Sequence, residues 1–396
     1  MVGGSVAGRR CTLPNNRVEV ARDLEVSAGG IVASDTHWEL KPHTEAKHRI
    51  LTEYLKMWFP VLGRYRGRVV LLDGFAGPGT YAGGEAGSPL LALQSLLDHS
   101  YLDRMSGCEY LLVFNEMDKD RFAALEAAVE SERQARGGWP KHVKVVTVNQ
   151  GFQSLAEDIL ETVEGKQLAP TFAFLDPFGY RDVPIDLIAR LLSFERCELF
   201  IYFDYNSVNR FATAGTSVDH LFEALYGTDE FKDAPASGNE RKDFLVQLYE
   251  RQLRNVCGFE HVQSFEMLNE KNRTGNYMIF CTRSKKGLDG MKSAMWKVAP
   301  TGDYRFADRL AHQEVLVGLT EPDTGPLQDA LLEEFGGSSV GIETVLDYVV
   351  TRTPYLSSHV KRRTLVPMQA AGLVKSSNPR KGQFPDGTLL EFASRR

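Results

Sequence analysis

The stretch LLDGFAGPGTY, residues 71–81, combines one acid with three glycines directly after an apolar run. Such a run is typical of a buried strand, so Asp73 stands at a strand end before a loop with few side chains. Gly74, Gly77 and Gly79 allow φ above zero and let backbone amides approach a ligand closely. The stretch lacks the GK[ST] of a phosphate-binding loop, and its spacing differs from the GxGxxG of dinucleotide sites. It therefore indicates either a ligand-binding turn or a tight turn without a ligand.

Three further strand ends carry polar side chains. Glu116 ends the apolar run YLLVFNE, Asn149 ends VKVVTVN and Asp176 ends TFAFLD. Because parallel strands present their carboxyl ends at one edge of a sheet, these side chains and Asp73 are expected to face one crevice. An acid after the second strand is suited to accept hydrogen bonds from ribose hydroxyls, and Asn149 to contact an adenine edge. Each residue alone has a second interpretation as a helix cap, but the set favours a nucleoside cofactor.

Apolar strands alternate with helical patterns through the first half of the chain. Strands are predicted at 68–73, 110–116, 143–149, 171–176 and 197–205, and a further one at 276–283. The first five are continuous apolar runs, which indicates a parallel sheet covered on both faces by helices. The predicted fold class is therefore α/β, with a doubly wound, mostly parallel sheet.

The chain is predicted to contain a large domain and a small one. Residues 1–34 show no sustained periodicity and are expected to form a flexible segment. The large domain takes 35–318 with a helical insertion at 206–260, and a proline-containing linker follows at 319–326. Residues 327–396 show three helical patterns and then a hairpin, which is the order of a winged helix-turn-helix domain.

Composition and charge narrow the function classes. The 396 residues are 43% hydrophobic, enough for a full core, and no apolar run reaches the roughly 18 residues of a membrane span. The five cysteines lack CxxC spacing, so no metal is expected. Without a signal-peptide pattern, the chain is expected to be cytoplasmic. The net charge of the chain is −6, but residues 351–396 contain nine Lys or Arg and only two acids. This basic segment indicates either a polyanionic partner or a solubilising tail.

The glycine loop and the fourth strand end resemble methyltransferase motifs. The sequence DGFAGPG at 73–79 looks like the first motif of S-adenosylmethionine-dependent methyltransferases, often DPFAGSG in those that methylate amines. The sequence DPFG at 176–179 resembles the [DNS]PP[YF] motif of exocyclic-amine methyltransferases, although Phe178 replaces the second proline and Gly179 the aromatic residue. A DPFG form also occurs in tRNA guanine-N2 methyltransferases. These likenesses imply a Rossmann-like class I methyltransferase fold and S-adenosylmethionine as cofactor.

A longer resemblance covers most of the chain. Residues 37–81, a Lys-His helix followed by the glycine loop, are similar to the start of a bacterial 23S rRNA adenine-N6 methyltransferase family. The best match is the bacterial and phage three-Cys-motif partner protein family (TcmP), on the motifs KPHT, KHxIL, DGFAGPG, LDPFG and AMWKV. Its members combine a methyltransferase-like domain with a C-terminal winged helix, and their partner resembles a radical-SAM protein.

The resemblance and the chemistry of amine methylation imply roles for individual residues. Asp176 and the carbonyl of Pro177 would accept the two N–H bonds of an exocyclic amine, and Phe178 would stack on the base. The residues expected to contact the cofactor are Asp73, Gly74, Phe75, Ala76, Gly77, Gly79, Tyr81, Glu116 and Asn149. Those expected to contact substrate or nucleic acid near the sheet are Lys41, His43, Lys47, His48, Tyr180 and Asn206.

Several of these residues have a plain structural alternative. Asp176 also suits a helix cap or another structural role, Phe178 suits packing in the sheet core, and Tyr81 suits a core or rim position. Lys47 and His48 directly precede an apolar helical stripe, so a solvated helix face is the other interpretation.

The basic residues of the C-terminal stretch complete the predicted set. Lys361, Arg362 and Arg363 lie on the third helix of the predicted winged unit and Arg380 on its wing, where phosphate contacts are expected. A winged helix also serves as a protein–protein module. The sequence thus predicts an S-adenosylmethionine-dependent methyltransferase acting on an exocyclic amine of DNA or RNA, at N6 of adenine or N2 of guanine. The alternative is a non-catalytic nucleic-acid-binding or DNA repair partner of a three-Cys-motif radical-SAM-like protein.

Overall fold

The fold is described from a computed structural model of the chain. It describes the following residues: 38–64, 67–164, 167–212, 218–269, 271, 273–307 and 322–394. The predicted flexible segment 1–34 lies outside these residues, and so does part of the predicted linker 319–326. The described residues belong to one compact unit.

The central sheet has eight strands. They are β1 (Gly67–Asp73), β2 (Cys108–Asn115), β3 (Val143–Val148), β4 (Thr171–Leu175), β5 (Glu198–Phe203), β6 (His261–Leu268), β7 (Thr274–Thr282) and β8 (Arg305–Ala307). Their spatial order is β3-β2-β1-β4-β5-β7-β6-β8. The first five pair in parallel, β7 is antiparallel to β5 and β6, and β8 is parallel to β6. This antiparallel strand inserted between the fifth and sixth is the arrangement of class I methyltransferase folds.

Helices cover both faces of the sheet, as the sequence predicts. They are α1 (Pro42–Leu62), α2 (Ser88–Leu97), α3 (Lys119–Ala135), α4 (Phe152–Thr162), α5 (Ile185–Leu191), α6 (Tyr205–Phe211), α7 (Asp219–Tyr226), α8 (Gly238–Asn255) and α9 (Lys285–Val298). Apolar residues of α1, α2, α3 and α9 form one buried cluster, and those of α4 to α8 form a second. Among the described residues, no helix is both long and apolar enough to cross a membrane.

Helices α1 and α9 approach each other closely at a glycine. A Cβ added at Gly290 would stand 2.1 Å from Cε of Met57, so a larger residue there would displace the end of the Met57 side chain. Nearby, Tyr54 of α1 donates to Glu198 Oε2 at 2.6 Å, and Thr282 donates to Oε1 at 2.7 Å. Burial raises the pKa of this Glu198 carboxyl. The network fixes α1 to β5 and β7.

The C-terminal unit, residues 322–394, consists of short helices and a small antiparallel sheet. Its helices are α10 (Gly325–Phe335), α11 (Ile342–Arg352), α12 (Ser357–His359), the π-helical turn Val360–Leu365 and α13 (Val366–Ala370). Its strands are β9 (Ser339–Gly341), β10 (Val374–Ser376) and β11 (Leu389–Phe392), in the order β10-β11-β9. The last three helical pieces form one continuous stretch, 357–370, that precedes the β10–β11 hairpin.

A buried lysine of α9 holds the C-terminal unit. Lys292 is fully buried, and its Nζ donates to the carbonyls of Val350 at 2.9 Å, Thr353 at 2.8 Å and Tyr355 at 2.5 Å. These carbonyls lie at or just beyond the end of α11, where a helix leaves acceptors without partners and favours a cation. Desolvation lowers the pKa of Lys292 to about 8. The lysine therefore acts as a C-terminal cap supplied by a different helix.

Further contacts extend this joint along α9. Trp296 Nε1 donates to the carbonyl of Pro354 at 2.9 Å. The carboxylate of Asp289 accepts from Ser357 N at 2.9 Å and from Ser357 Oγ at 2.5 Å. The His359 ring meets the Trp296 ring edge-on, with 4.8 Å between centroids. The start of the helical stretch 357–370 is therefore bound to α9.

Candidate active site

Three carboxylates converge at the carboxyl ends of β1, β2 and β4. Burial raises the pKa of Asp73 to about 7, and the charges of Asp176 and Glu116 add to the rise. Two hydrogen bonds oppose it: Ser88 Oγ donates to Oδ2 at 2.6 Å and Phe75 N donates to Oδ1 at 3.2 Å. The expected crevice at these strand ends is therefore an electrostatically coupled acidic site.

Asp73→Asn is expected to remove a contribution to stability that decreases as pH rises. The native pKa of about 7 lies above that of an unfolded aspartate, so between about pH 4 and 7 the folded protein retains a proton that the unfolded chain has released. The contribution of Asp73 to stability therefore falls as pH rises through this window, by about 4 kcal/mol in total. Urea denaturation at pH 5 and pH 8 checks this. The exposed Asp186→Asn serves as control, and equal pH dependence in Asp73→Asn and the natural protein would contradict the prediction.

The glycine loop is packed tightly against the rest of the protein. Gly77 and Gly79 have φ of 63° and 84°, values that favour glycine. A Cβ at Gly74 would stand 2.7 Å from Leu175 Cδ2, and one at Gly79 would stand 3.1 Å from Ala128 Cβ. The loop thus has structural reasons for its glycines, and the tight-turn interpretation accounts for part of the motif.

Side chains of the same loop also face inward. The ring of Phe75 packs on Phe152 with 5.4 Å between centroids. Ala76 N donates to the carbonyl of Asn115 at 2.8 Å, and Asn115 Nδ2 donates back to the carbonyl of Gly74 at 3.0 Å. Asn115 Oδ1 is buried with no hydrogen-bond partner among the described residues. A buried acceptor without a partner beside the loop would accept a hydrogen bond from a donor group of a ligand.

Glu116 is bound by four donors from the protein. Its Oε2 accepts from Gly77 N at 3.1 Å. Its Oε1 accepts from Asp118 N at 2.8 Å and from Nη2 and Nε of Arg121 at 3.0 and 3.2 Å. The acid that the sequence assigns to ribose binding therefore ties the glycine loop to α3 in this structure.

The turn after β2 presents an apolar side chain that the sequence analysis did not single out. Met117 is 64% exposed, and its Sδ lies 3.8 Å from the position of a Cβ on Gly151. Asn149 braces this turn, because its Nδ2 donates to the carbonyls of Glu116 and Met117 at 2.8 and 3.0 Å. The position of an apolar residue directly after Glu116 is the sequence signal that could have identified Met117. Met117 offers a flat apolar surface of the kind that packs on a purine ring.

Asp176 pairs with Lys47 across the crevice. Lys47 Nζ donates to Asp176 Oδ2 at 2.5 Å and lies 4.7 Å from the ring centre of Tyr202. The lysine side chain is 7% exposed and the aspartate side chain 23%. Asp176 does not cap α5, whose N-cap is Pro184, and Lys47 does not lie on a solvated face. The helix-cap interpretation of Asp176 and the solvated-face interpretation of Lys47 are therefore wrong, whereas the ion pair agrees with a structural role for Asp176 as well as a positioning one.

The residues after Asp176 form a tight corner. The carbonyl of Pro177 accepts from Gly179 N at 3.0 Å, and Gly179 has a φ of 102°. A carbonyl oxygen has two lone pairs, so that of Pro177 keeps one for a further donor. Phe178 is 66% exposed, so the alternative of core packing is wrong for it.

His48 and Tyr81 fill the space beside this pair. Burial lowers the pKa of His48 to about 4, and the charge of Lys47 adds to the effect. The His48 and Tyr81 rings lie 5.6 Å apart, and burial raises the pKa of Tyr81, with the charges of Asp176 and Asp73 contributing. His48 is therefore neutral near pH 7 and buried beside the Lys47–Asp176 pair.

Tyr180 does not reach the crevice. Its side chain is buried at 7% exposure, and its ring stacks on Phe222 with 4.6 Å between centroids and an interplanar angle of 18°. Burial between sheet and helix α7 leaves no face for a base. The expectation that Tyr180 contacts substrate is therefore corrected: it is a core residue.

The other predicted substrate residues are spread over three places. Lys41 is exposed at the N-cap of α1, and His43 is half-buried in its first turn. Asn206 is exposed on α6, with its Nδ2 3.4 Å from the position of a Cβ on Gly275. In the C-terminal unit, Arg362, Arg363 and Arg380 are exposed, and Lys361 Nζ lies 3.9 Å from Asp386 Oδ1.

Comparison with known proteins gives distant structural similarity. No family model and no curated protein matches the chain. A Legionella pneumophila protein assigned to DUF519 is similar at a TM-score of 0.36 and 12% identity, over 61% of this chain and 85% of that one. The METTL16 MTase domain is similar at a TM-score of 0.30 and 15% identity, over 58% of this chain and 66% of that one. Human methyltransferase 10 domain containing protein is similar at a TM-score of 0.28 and 12% identity, over 59% of this chain and 83% of that one. The fold class is assigned from the strand order. Membership of the TcmP family has no support from a family model.

Proposed function

We propose that the protein is an S-adenosylmethionine-dependent methyltransferase that acts on an exocyclic amine of a nucleic-acid base, at N6 of adenine or N2 of guanine. The observation that carries the proposal is the Lys47–Asp176 pair beside the exposed ring of Phe178. This pair stands at the end of β4 in a sheet with the class I methyltransferase strand order.

The residues at the first two strand ends fit S-adenosylmethionine in kind. Glu116 offers a carboxylate for a ribose diol, and Met117 offers an exposed apolar surface for adenine. The Oδ1 of Asn115 lies beside the glycine loop, buried and without a partner in the described part of the chain, and would take a donor of the ligand. Asp73 and Tyr81 stand between this half and Asp176, where the methionine portion would lie.

Bound S-adenosylmethionine would supply a sulfonium methyl group: the lone pair of the amine nitrogen forms the new N–C bond, the sulfur takes the electrons of the C–S bond, and the proton that the nitrogen loses passes to water. The chain's own residues position the amine. Asp176 Oδ2 is held by Lys47, so Oδ1 is left to accept one N–H. The free lone pair of the Pro177 carbonyl accepts the other. Two acceptors fixed at a rigid corner turn the nitrogen lone pair out of the base plane.

Phe178 is the stacking surface for the base in this proposal. Its ring is exposed and directly follows the two acceptors. A base that stacks on an aromatic ring gains about 1–3 kcal/mol, whatever its identity. This contact suits a flipped or single-stranded nucleotide and is compatible with either adenine or guanine.

The C-terminal unit is the proposed nucleic-acid surface. The order α10, β9, α11, stretch 357–370 and hairpin is that expected of a winged helix. In helix-turn-helix proteins the start of the recognition helix reads base edges, whereas here that start is bound to α9 by Asp289. The exposed Arg362, Arg363 and Arg380 suit phosphate contacts instead. The proposed partner is therefore a nucleic acid, DNA or RNA. The resemblance to the TcmP family adds a three-Cys-motif radical-SAM-like protein as a second proposed partner.

The second candidate is a non-catalytic nucleic-acid-binding or repair partner that keeps the methyltransferase fold. The observation that favours it is Glu116, whose carboxylate already accepts four hydrogen bonds from the protein. The DPFG sequence at 176–179, with phenylalanine in place of the second proline of [DNS]PP[YF], points the same way.

Calorimetry of S-adenosylmethionine binding separates these candidates. The natural protein is expected to bind, and Glu116→Gln is expected to weaken binding about tenfold through loss of a charged acceptor. The control is Glu130→Gln, an exposed acid on α3 that pairs with Arg133. A labelled-methyl screen over tRNA, rRNA and DNA then identifies the acceptor. No binding at millimolar cofactor would overturn the enzyme proposal and favour the non-catalytic partner.

A further inference from the structure

Arg121 joins the two halves of the candidate site. Its guanidinium binds Glu116 Oε1 through two N–H groups, at 3.0 and 3.2 Å. Its central carbon also lies 5.4 Å from the ring centre of Trp38 and 5.6 Å from that of Phe178. One side chain on the first turn of α3 thus touches the acid proposed for the cofactor and the aromatic ring proposed for the acceptor base.

The lone pairs of Glu116 are too few for both Arg121 and a ribose diol. A carboxylate has about four lone-pair positions, two on each oxygen. Oε1 already accepts from Asp118 N and twice from Arg121, and Oε2 accepts from Gly77 N. One position therefore remains on Oε2, whereas a bidentate diol needs two. A diol that binds both oxygens must displace a donor from Oε1, and the side chain of Arg121 can move away whereas Asp118 N is held in the backbone at the start of α3.

The aromatic side of the contact would change with it. The Trp38 and Phe178 rings lie 5.2 Å apart at 55°, with the guanidinium against both. Trp38 also covers the glycine loop, since its Cζ3 lies 3.5 Å from the position of a Cβ on Gly77. Cation–π contacts of a partly buried arginine stabilise the arrangement of the rings it faces. Moving Arg121 away from Glu116 therefore alters how Trp38 and Phe178 pack.

We infer that Arg121 controls access to Glu116 and couples occupation of the cofactor site to the packing of Trp38 and Phe178. This inference rests on the proposed function, because it takes a nucleoside with a ribose diol as the competing ligand. Only molecules in which Arg121 does not hold Glu116 can bind the nucleoside. The apparent affinity is therefore the intrinsic affinity multiplied by the fraction of such molecules. Binding in turn releases Phe178 from the guanidinium and frees its face for the acceptor base, so the two sites are reciprocally linked.

The first test compares the affinity for S-adenosylhomocysteine of the natural protein and Arg121→Met by calorimetry. Methionine keeps the length of the side chain and removes the donors. We expect Arg121→Met to bind about fivefold more tightly, because no competing ion pair has to be broken. Arg133→Met is the matched control, since Arg133 lies on the same helix and forms an exposed pair with Glu130. Equal or weaker binding by Arg121→Met would overturn the inference.

The second test follows Trp38 fluorescence during the same titration. The chain has four tryptophans, so the Trp38 signal is obtained by subtracting the titration of Trp38→Phe. We expect the nucleoside to change Trp38 emission in the natural protein and to leave it unchanged in Arg121→Met. A change of the same size in both would show that Arg121 does not link the sites. If none of these proteins binds the nucleoside, the proposed function fails and the inference falls with it; if all bind equally, the inference alone fails.

Discussion

Asp176→Asn is expected to lower the rate of methyl transfer about 100-fold, the effect of misplacing a reacting group that a fixed acceptor positions. Asparagine keeps the shape of the side chain, but it loses the charge that pairs with Lys47 at 2.5 Å and presents an N–H group where the amine needs an acceptor. The affinity for S-adenosylmethionine should stay within about twofold, because the contacts proposed for the nucleoside lie at β1 and β2. Single-turnover transfer of a labelled methyl group and calorimetry measure the two quantities separately.

The exposed Asp186→Asn is the matched control, since it makes the same substitution at the start of the helix that follows. Lys47→Met tests the pair from the other side: it leaves Asp176 ionisable but removes the cation that fixes Oδ2, so a similar loss of rate is expected. A rate for Asp176→Asn within a few-fold of the natural protein would mean that the carboxylate does not position the amine.

Lys292→Met is expected to lower the free energy of unfolding by about 3 kcal/mol, because it leaves buried carbonyls at the end of α11 without a donor. Three carbonyl oxygens lie within 2.9 Å of Nζ, and methionine supplies no replacement for these bonds. The C-terminal unit should also become more accessible to trypsin at the exposed Arg352, Arg362 and Arg363. Urea denaturation followed by limited proteolysis measures both effects.

Lys297→Met on the same helix distinguishes the buried cap from an ordinary lysine. Lys297 is about half exposed and pairs with Glu53, so its loss should cost less than about 1 kcal/mol. If Lys292→Met were as stable as Lys297→Met, the methionine would be gaining as much from apolar packing as the lysine gains from its carbonyls, and the cap would contribute nothing net.

The parallel strands could be predicted because each is a continuous apolar run, whereas β6 and β8 were missed. β6, HVQSFEML, has polar Gln263, Ser264 and Glu266 among its apolar residues and is only half-buried along most of its length. Glu266 is buried all the same, because Lys242 and Arg305 pair with it. Pairing supplied by distant cations leaves no trace in a local pattern. β8 is three residues long, too short for any periodicity to show.

The site was predictable where function follows strand ends and unpredictable where it depends on packing between elements. Asp73, Glu116 and Asp176 follow directly from parallel topology. The partner of Asp176, Lys47, lies 129 positions away on a helix whose apolar stripe gives no sign that this lysine turns inward. Tyr180 was misassigned for the same reason, since its stacking on Phe222 depends on where α7 lies.

The face of α9 that carries Asp289, Lys292 and Trp296 also limits how the chain can be divided. These positions follow helical spacing, and all three bond to residues between Val349 and Ser357 of the C-terminal unit. A chain shortened before residue 322 would expose this face to water, including the ammonium group of Lys292 and the indole of Trp296, which are buried in the full chain. Such a face favours association with other molecules. The C-terminal unit is therefore one side of a shared interior and not a removable appendage.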